Sequence, residues 1–297
     1  MYKMKQIGRV AITNFRGWHR KPQIYLTFFL GFIVSFLLSD KVVQFAKEQE
    51  TILQSQESFI WTFGDAKSIL IVSLLLLLLF ADMPNLNNDV PFMLVRTSRG
   101  VWLAGQMLYQ LMATFLFMSF IFLSTCVLSS GSAYTANMWS DTAAILGYSS
   151  IGEEIAIPAF VKVLELTFPY QCTIHIFLLM LGYSAVMTSL MLFLNLWKGK
   201  AGMVGGVIFS AFGFLMNPQV LEQILPANMP YLNMANIIFG WISPLNQATY
   251  YMHNFGYDNL PRLWQSYIIF IVAIIVLFII SMWRVRRYNF SFTGTQN

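Results

Sequence analysis

Hydrophobic residues in this chain are gathered into six long blocks that are separated by more polar stretches. A helix needs roughly 20 mainly apolar residues to cross the hydrocarbon core of a bilayer. We therefore predict membrane-spanning helices at about 22–39, 67–83, 102–130, 170–197, 201–218 and 263–283. The fifth of these segments is short and rich in glycine. The pattern predicts an all-α, polytopic integral membrane protein with six transmembrane helices, which form a single transmembrane domain over residues 1–297.

The arm that precedes the first span has the pattern of an amphipathic helix. At about 100° per residue, one side carries Ile7, Val10, Ala11, Asn14, Phe15 and Trp18, and the opposite side carries Lys5, Arg9, Arg16 and Arg20. Pro22 then begins the first span. We predict an interface helix over residues 1–21. It either only anchors the chain on anionic lipid or also forms a docking surface for a cytoplasmic partner.

The loop between the second and third spans combines apolar and basic residues in a short stretch. Pro91 suits the first turn of a helix, where its missing N–H is not needed. Phe92, Val95 and Arg99 would then share one face of that helix, and Arg96 lies beside them in the sequence. A partner that drives the protein mechanically would grip such a helix, whereas a plain loop would not need this pattern. These four residues are candidate partner contacts.

Small residues recur every four positions in two of the predicted spans. They are Gly202, Gly206 and Ser210 in the fifth span, and Gly31 and Ser35 in the first. This spacing lets two helix backbones approach closely in lipid. The two stripes therefore predict close helix packing, either across the seam of a dimer or between helices of the same chain.

The segment between the fifth and sixth spans is unusually apolar for a loop. The run 237–242 is too short to cross a bilayer, and Ser243 and Pro244 follow it. A re-entrant or interfacial helix pair is the structure that this pattern favours. We expect nearby amides to satisfy its broken backbone, namely those of Asn233, Asn236, Asn246 and Gln247.

Composition and charge support the membrane assignment and give it an orientation. Hydrophobic residues make up 57% of the chain and charged residues 10%, against about 25% charged in a soluble domain. With the N-terminus inside, 13 of the 18 Lys and Arg but only two of the 13 acids fall on the cytoplasmic side. The positive-inside rule therefore predicts two cytoplasmic termini in the cell membrane, and external loops at about 40–66, 131–169 and 219–262. Because the basic residues follow the topology, they do not indicate a nucleic-acid partner.

The motifs of several catalytic classes are absent from the sequence. The string at 199–202 has the wrong glycine spacing for a phosphate-binding loop and lacks its hydroxyl. Few ionisable residues fall within the predicted spans, which disfavours an ion-coupled carrier. The scattered histidines and the two cysteines form no metal or catalytic motif: His19, His175, His253, Cys126 and Cys172. We expect no catalytic site, metal site or cofactor in this chain, and the cysteines are either free and inert or bridged.

In layout the chain resembles the ABC type-2 permeases. The string Ala81-Asp82…Pro91-Phe92…Arg96…Arg99-Gly100…Trp102-Leu103…Gly105-Gln106…Tyr109 is similar to the coupling-loop region of Gram-positive members of that family. The likeness covers the whole chain in layout and about 30 residues in motif. It departs from the family in the external loop at 131–169, which is longer than the compact family pattern.

The resemblance implies a membrane subunit that pairs with itself or with a paralogous permease and docks two copies of a separate ATP-binding-cassette ATPase. ATP and Mg²⁺ would then be bound by the ATPase and not by this chain. Residues 84–101 would form the coupling helix, with Lys5, Arg9, Arg16 and Trp18 in the interface helix. The first and fifth spans would meet across the dimer. The resemblance therefore implies an exporter of a hydrophobic or amphipathic substrate, which could be a peptide, a toxin or a drug-like or lipid-like molecule. The alternatives are a stand-alone channel or secondary carrier and, less favoured, a membrane-embedded enzyme.

Overall fold

A computed structural model describes residues 2–83, 97–149, 151–154, 157, 161–198, 201–217, 232–256 and 258–288. The structure is mostly helical (81%). Its helices are α1 (Tyr2–Arg16), α2 (Pro22–Glu48), α3 (Glu57–Phe63), α4 (Ala66–Leu79), α5 (Arg99–Ser129), α6 (Asp141–Tyr148), α7 (Ile151–Glu154), α8 (Val161–Leu166), α9 (Pro169–Lys198), α10 (Ala201–Leu215), α11 (Leu232–Ile242), α12 (Pro244–Ala248) and α13 (Leu263–Arg286). Short 3₁₀ turns cover Trp18–Arg20, Ser130–Ser132 and Tyr250–Met252.

Four helices are long and apolar enough to cross a membrane, namely α2, α5, α9 and α13. The pair α3–α4 adds a fifth span if its two helices count as one, although they are bent by 86° at the break between them. Helix α10 has 15 residues, which is short of the roughly 20 that a span needs. The chain is thus a multi-pass membrane protein with four to five candidate spans among the described residues, and the count of six predicted from hydropathy is not confirmed.

Local signals explain where several helices begin. Pro22 and Pro169 occupy the first helical positions of α2 and α9, where a missing N–H costs nothing. The Ser98 hydroxyl accepts from the Val101 N–H at 3.3 Å, so α5 starts at Arg99 and not at the predicted 102. Helix α2 continues to Glu48, nine residues beyond the predicted end at 39. Its last turns therefore lie in a stretch that the sequence pattern assigned to a loop.

The apolar core is one contiguous cluster that runs through the bundle. Helix α9 is at its centre, because two thirds of its most apolar window is buried, against a sixth for α13. Large side chains such as Phe117, Tyr183 and Trp61 are fully enclosed. By contrast, α13 exposes a long apolar face that includes Ile271, Ile275 and Ile279. A helix with this asymmetry is solvated by lipid on its outer face.

The three segments predicted as external loops meet at one end of the bundle, which we call the cap end. Strands β1 (Leu53–Gln54) and β2 (Ala133–Tyr134), of two residues each, pair in parallel. Tyr251 O–H donates to the Ile60 carbonyl at 2.7 Å, and Lys162 pairs with Asp258 at 3.5 Å. These contacts join residues from all three segments, which agrees with their assignment to one side of the membrane.

Candidate functional site: the basic end of the bundle

The opposite end of the bundle carries the N-terminal helix and most of the basic residues that the structure describes, and we call it the basic end. Here α5 begins, and α9 and α13 finish. Its exposed basic residues are Lys3, Lys5, Arg9, Arg16, Arg20, Arg99, Lys198, Arg286 and Arg287. The spans separate the cap end from the basic end. The two ends are formed by different segments of the chain, and they differ in charge.

Helix α1 lies against the start of α5 with the apolar side that its sequence pattern predicted. Val10 and Ala11 are buried. A Cβ built on Gly105 would lie only 2.5 Å from the Val10 Cβ, so glycine at this position permits the close approach of the two helices. The pattern of the arm therefore predicted its buried face correctly, although it gave no indication of the partner helix.

Two polar contacts and an aromatic cluster fix the arm on α5. Asn14 Nδ2 donates to Gln106 Oε1 at 3.1 Å, and Trp18 Nε1–H donates to the Tyr109 hydroxyl at 2.8 Å. The Phe15 ring lies 4.9 Å from both the Trp18 and the Tyr109 rings. Trp18 thus holds the arm in place, while Lys5, Arg9 and Arg16 project from its other side.

Arg99 was predicted to contact a partner, and the structure shows its guanidinium occupied within the chain. It donates to the Arg286 carbonyl at 2.6 Å and to the Val285 carbonyl at 3.2 Å. Arg284 donates in the same way to the Leu196 carbonyl at the end of α9, at 3.2 Å. Cations at these positions satisfy terminal carbonyls and complement the negative ends of the helix dipoles. The other predicted coupling residues, Phe92, Val95 and Arg96, lie outside the described residues.

Polar contacts also fix the point where the chain leaves α4 towards residues 84–96. Asp82 accepts from Gln23 Nε2 at 2.8 Å and pairs with Lys21 at 3.7 Å. The buried Asn195 amide donates to the Met83 carbonyl, and its oxygen accepts from the Gly202 N–H at 2.6 Å. The starts of α2 and α10 and the end of α4 are thereby linked at the basic end.

The two small-residue stripes are filled by contacts within the chain. A Cβ on Gly202 would lie 2.3 Å from the Met191 carbonyl oxygen, and a Cβ on Gly206 would lie 2.3 Å from Leu77 Cδ2. Ser210 is buried and donates to the Met187 sulfur at 3.4 Å. In the first stripe a Cβ on Gly31 would lie 3.0 Å from the Phe117 ring. Of the two alternatives left open by the sequence, packing between helices of the same chain is the one seen for these residues.

Ser35, the second member of the first stripe, is also buried and donates to the Gly31 carbonyl at 2.9 Å. The surfaces of both stripes are therefore already covered by α4, α5 and α9. The role of these five residues in a dimer seam stays a prediction.

The helix pair α11–α12 shows how a broken apolar helix is stabilised. Gln247 Nε2 donates to the Gly240 and Trp241 carbonyls at 3.3 and 3.0 Å. Asn246 Nδ2 donates to the Met216 and Phe239 carbonyls at 3.0 and 3.2 Å. These two amides have the role that the sequence predicted for them, and the side chains of Asn233 and Asn236 lie outside the described residues.

A buried histidine next to this pair was not predicted as a site. His253 Nε2 lies 2.8 Å from the Ser266 hydroxyl, and its Nδ1 lies 2.9 Å from the Thr249 carbonyl oxygen. The Ser266 hydroxyl oxygen also contacts Gln247 Oε1. Burial, with smaller contributions from Lys162 and His175, lowers the pKa of His253 to about 4. A lone histidine in an apolar segment has no sequence signal that separates this role from packing.

The cysteines do not form a bridge. Cys126 and Cys172 are both free thiols, which is one of the two states that the sequence left open. Cys172 is buried, and its sulfur lies 2.9 Å from the Thr167 hydroxyl.

Comparisons with protein-family models, with curated proteins and with solved structures gave no match to this chain.

Proposed function

We propose that this chain is the permease subunit of an ATP-binding-cassette exporter, which moves a hydrophobic or amphipathic substrate out of the cell. A separate ATPase, present in two copies, supplies the energy, and the permease works as a homodimer or with a paralogous permease. The observation that carries the proposal is the arrangement of the basic end. There, an amphipathic helix is fixed to the start of a spanning helix and presents Lys5, Arg9 and Arg16 outwards.

This arrangement suits force transfer better than simple anchoring. Trp18 and Asn14 attach α1 to α5, and α5 runs for 31 residues to the cap end. A push on the arm would therefore be passed to a helix that reaches the other side of the membrane. Met83, which Asn195 holds, and the start of α5 both lie at the basic end, and they flank the segment 84–96 in the sequence. In the proposed mechanism this segment and the arm together receive the ATPase.

The proposal is tested by reversing the outward charges of α1. A Lys5→Glu, Arg9→Glu, Arg16→Glu triple variant should lose an ATPase that co-purifies with the wild-type chain in neutral detergent. Each charge-assisted contact is worth about 1.5–3 kcal/mol, so recovery of the ATPase should fall by at least about tenfold. A Lys41→Glu, Lys47→Glu variant, which changes exposed charges at the other end of α2, is the matched control.

The same experiment separates the alternatives. If the triple variant still co-purifies with the ATPase but no longer binds anionic liposomes, α1 is only a lipid anchor. Flux of solutes through the purified chain alone in liposomes, without ATP, would instead support a stand-alone channel or carrier and overturn the proposal.

A further inference from the structure

The ends of α9 and α13 form an exposed surface that combines two tryptophans with three basic residues. Arg284 donates to the Leu196 and Trp197 carbonyls at 3.2 and 3.4 Å, so the two helix ends lie side by side. Trp197 and Trp283 are 58% and 55% exposed, and the basic residues are exposed as well. We call this surface the terminal patch, and it consists of Trp197, Lys198, Trp283, Arg286 and Arg287.

Along α13 the terminal patch continues the apolar face that lipid solvates. A helix completes five turns in about 18 residues, so Arg286 lies on the same side of α13 as the exposed Ile268 and Ile279. Trp283 lies about 60° to one side at 100° per residue, and the Arg287 guanidinium lies 4.4 Å from the centre of its ring. Tryptophan is enriched where a membrane meets water. The exposed face therefore passes from isoleucine through tryptophan to arginine, in the order in which a membrane passes from hydrocarbon to head groups.

The positive charge of the patch is not matched by carboxylates in the part of the chain that the structure describes. The negative ends of the two helix dipoles already have their own cations, because Arg284 and Arg99 bind the last carbonyls of α9 and α13. The ion pairs among the described residues involve Lys21 and Lys162, neither of which belongs to the patch. In the sequence, no acidic residue follows Asp258. The three basic side chains of the patch are thus free of the ion pairs described and suit an external anion.

We propose that the terminal patch binds the head group of an anionic phospholipid, whose acyl chains lie along the apolar face of α13. Guanidinium groups form charge-assisted hydrogen bonds to phosphate oxygens, and basic residues at a membrane surface attract anionic lipids. A lipid fits this surface better than the ATPase does, because Arg286 lies on the face of α13 that lipid already solvates, whereas the arm proposed for the ATPase packs on α5. The inference does not rest on the proposed transport function, since α13 is a candidate span of the chain itself.

The test compares phosphatidylglycerol, which is anionic, with phosphatidylcholine, which is zwitterionic. Both lipids have the same acyl chains and carry a photoreactive diazirine close to the glycerol backbone. The full-length protein in nanodiscs is illuminated with each lipid, and the cross-linked peptides are identified by mass spectrometry. We expect labelling of the peptide that contains Ile279 and Trp283. One basic residue at a membrane surface is worth about fivefold in binding, so the anionic lipid should label this peptide at least about tenfold more.

Two variants and a control separate the patch from general lipid contact. A neutral variant, in which the two lipids should label this peptide equally, combines Lys198→Gln, Arg286→Gln and Arg287→Gln. A charge-conserving variant, which should keep the preference for the anionic lipid, combines Lys198→Arg, Arg286→Lys and Arg287→Lys. The control, which should also keep it, removes three exposed charges towards the cap end by Lys41→Gln, Lys47→Gln and Lys67→Gln.

The proposal is overturned if the two lipids label the wild type equally, or if the folded neutral variant keeps the preference for phosphatidylglycerol. It is also overturned if the neutral variant keeps that preference but loses a co-purifying ATPase, because the patch would then be a protein contact. Should the neutral variant not fold, the wild type in high salt decides: screening should remove the preference, and a preference that salt does not change would contradict the proposal.

Discussion

At the scale of single residues, His253 shows how one side chain can join several elements. Its ring connects the turn at Tyr250–Met252 to Ser266 in the first turn of α13, and Ser266 reaches Gln247 in α12. Gln247 then binds the last carbonyls of α11. The groups that act on the ring electrostatically, Lys162 and His175, are basic, and the nearby carboxylate of Asp258 is paired with Lys162. A proton on His253 would therefore be buried without a counter-charge.

The pH dependence of stability follows from this burial. The unfolded chain binds a proton at His253 as the pH falls through about 6.5, whereas in the folded chain its pKa is about 4. Because the unfolded state binds more protons between these values, the stability that the neutral ring contributes is present above pH 6.5 and is lost as the pH falls towards 4. The loss should reach at most about 3 kcal/mol.

A His253→Gln variant cannot take up this proton, so its melting temperature should fall less than that of the wild type between pH 6.5 and pH 4. Thermal unfolding in detergent measures both. His19→Gln replaces an exposed histidine and should behave like the wild type. If His253→Gln and the wild type lose the same stability over this range, His253 does not titrate as its burial requires.

At the scale of elements, the glycines of α10 account for its close contact with α4 and α9. A Cβ on Gly206 would lie 2.3 Å from Leu77 Cδ2 and 3.1 Å from Met191 Cγ. Gly213 lies against Leu245 in the same way, with a Cβ contact of 2.8 Å. Meanwhile Val204 and Ile208, on the other side of α10, are 61% and 62% exposed. The short helix is thus held by one narrow face of small residues.

We expect Gly206→Leu to lower the free energy of unfolding by about 1–3 kcal/mol, because it inserts a side chain where two helices touch. A melting curve in detergent measures the effect. The oligomeric mass from size-exclusion chromatography with light scattering should not change, since the stripe packs within one chain. Val204→Leu enlarges a side chain on the exposed face and is the matched control. A fall in the oligomeric mass without a fall in the melting temperature would instead place the small-residue stripe of α10 at a dimer seam.

Elements were predictable where their signals are local. The amphipathic arm, the starts at Pro22 and Pro169 and the helix break at Ser243–Pro244 all follow from nearby residues. Gly64 and the capping Asp65 mark the break between α3 and α4 locally, but the close approach of the distant Tyr251 ring to Gly64 does not follow from nearby residues. The site residues also divide into those that local sequence signals predict and those whose contacts are distant in sequence. Trp18 could be placed on the inner face of the arm from periodicity, but the binding of Arg99 to α13 joins residues 186 positions apart.

At the scale of the whole molecule, the charge pattern and the fold agree on two different ends. The segments predicted as external meet at the cap end, where Glu57 is fully buried and accepts from the Ser140 N–H at 2.8 Å. The N-terminal helix and the ends of α9 and α13 meet at the basic end. Hydropathy alone could not give the number of spans, since α10 is short and α3–α4 is bent. The alternation of basic and non-basic loop segments along the sequence does not depend on the number of spans.

The end of the bundle that faces the cytoplasm can be identified by cysteine accessibility. In a background that lacks Cys126 and Cys172, single cysteines are placed at Thr97, Lys198 and Glu48. Thr97 and Lys198 lie at the basic end, while Glu48 ends α2 on the other side and is exposed. Since positive loops are retained in the cytoplasm, an impermeant thiol reagent added to intact cells should label Glu48→Cys and spare the other two. All three should react after the membrane is opened, which controls for burial; labelling of Thr97→Cys or Lys198→Cys in intact cells would reverse the orientation and remove the basic end as a surface for a cytoplasmic ATPase.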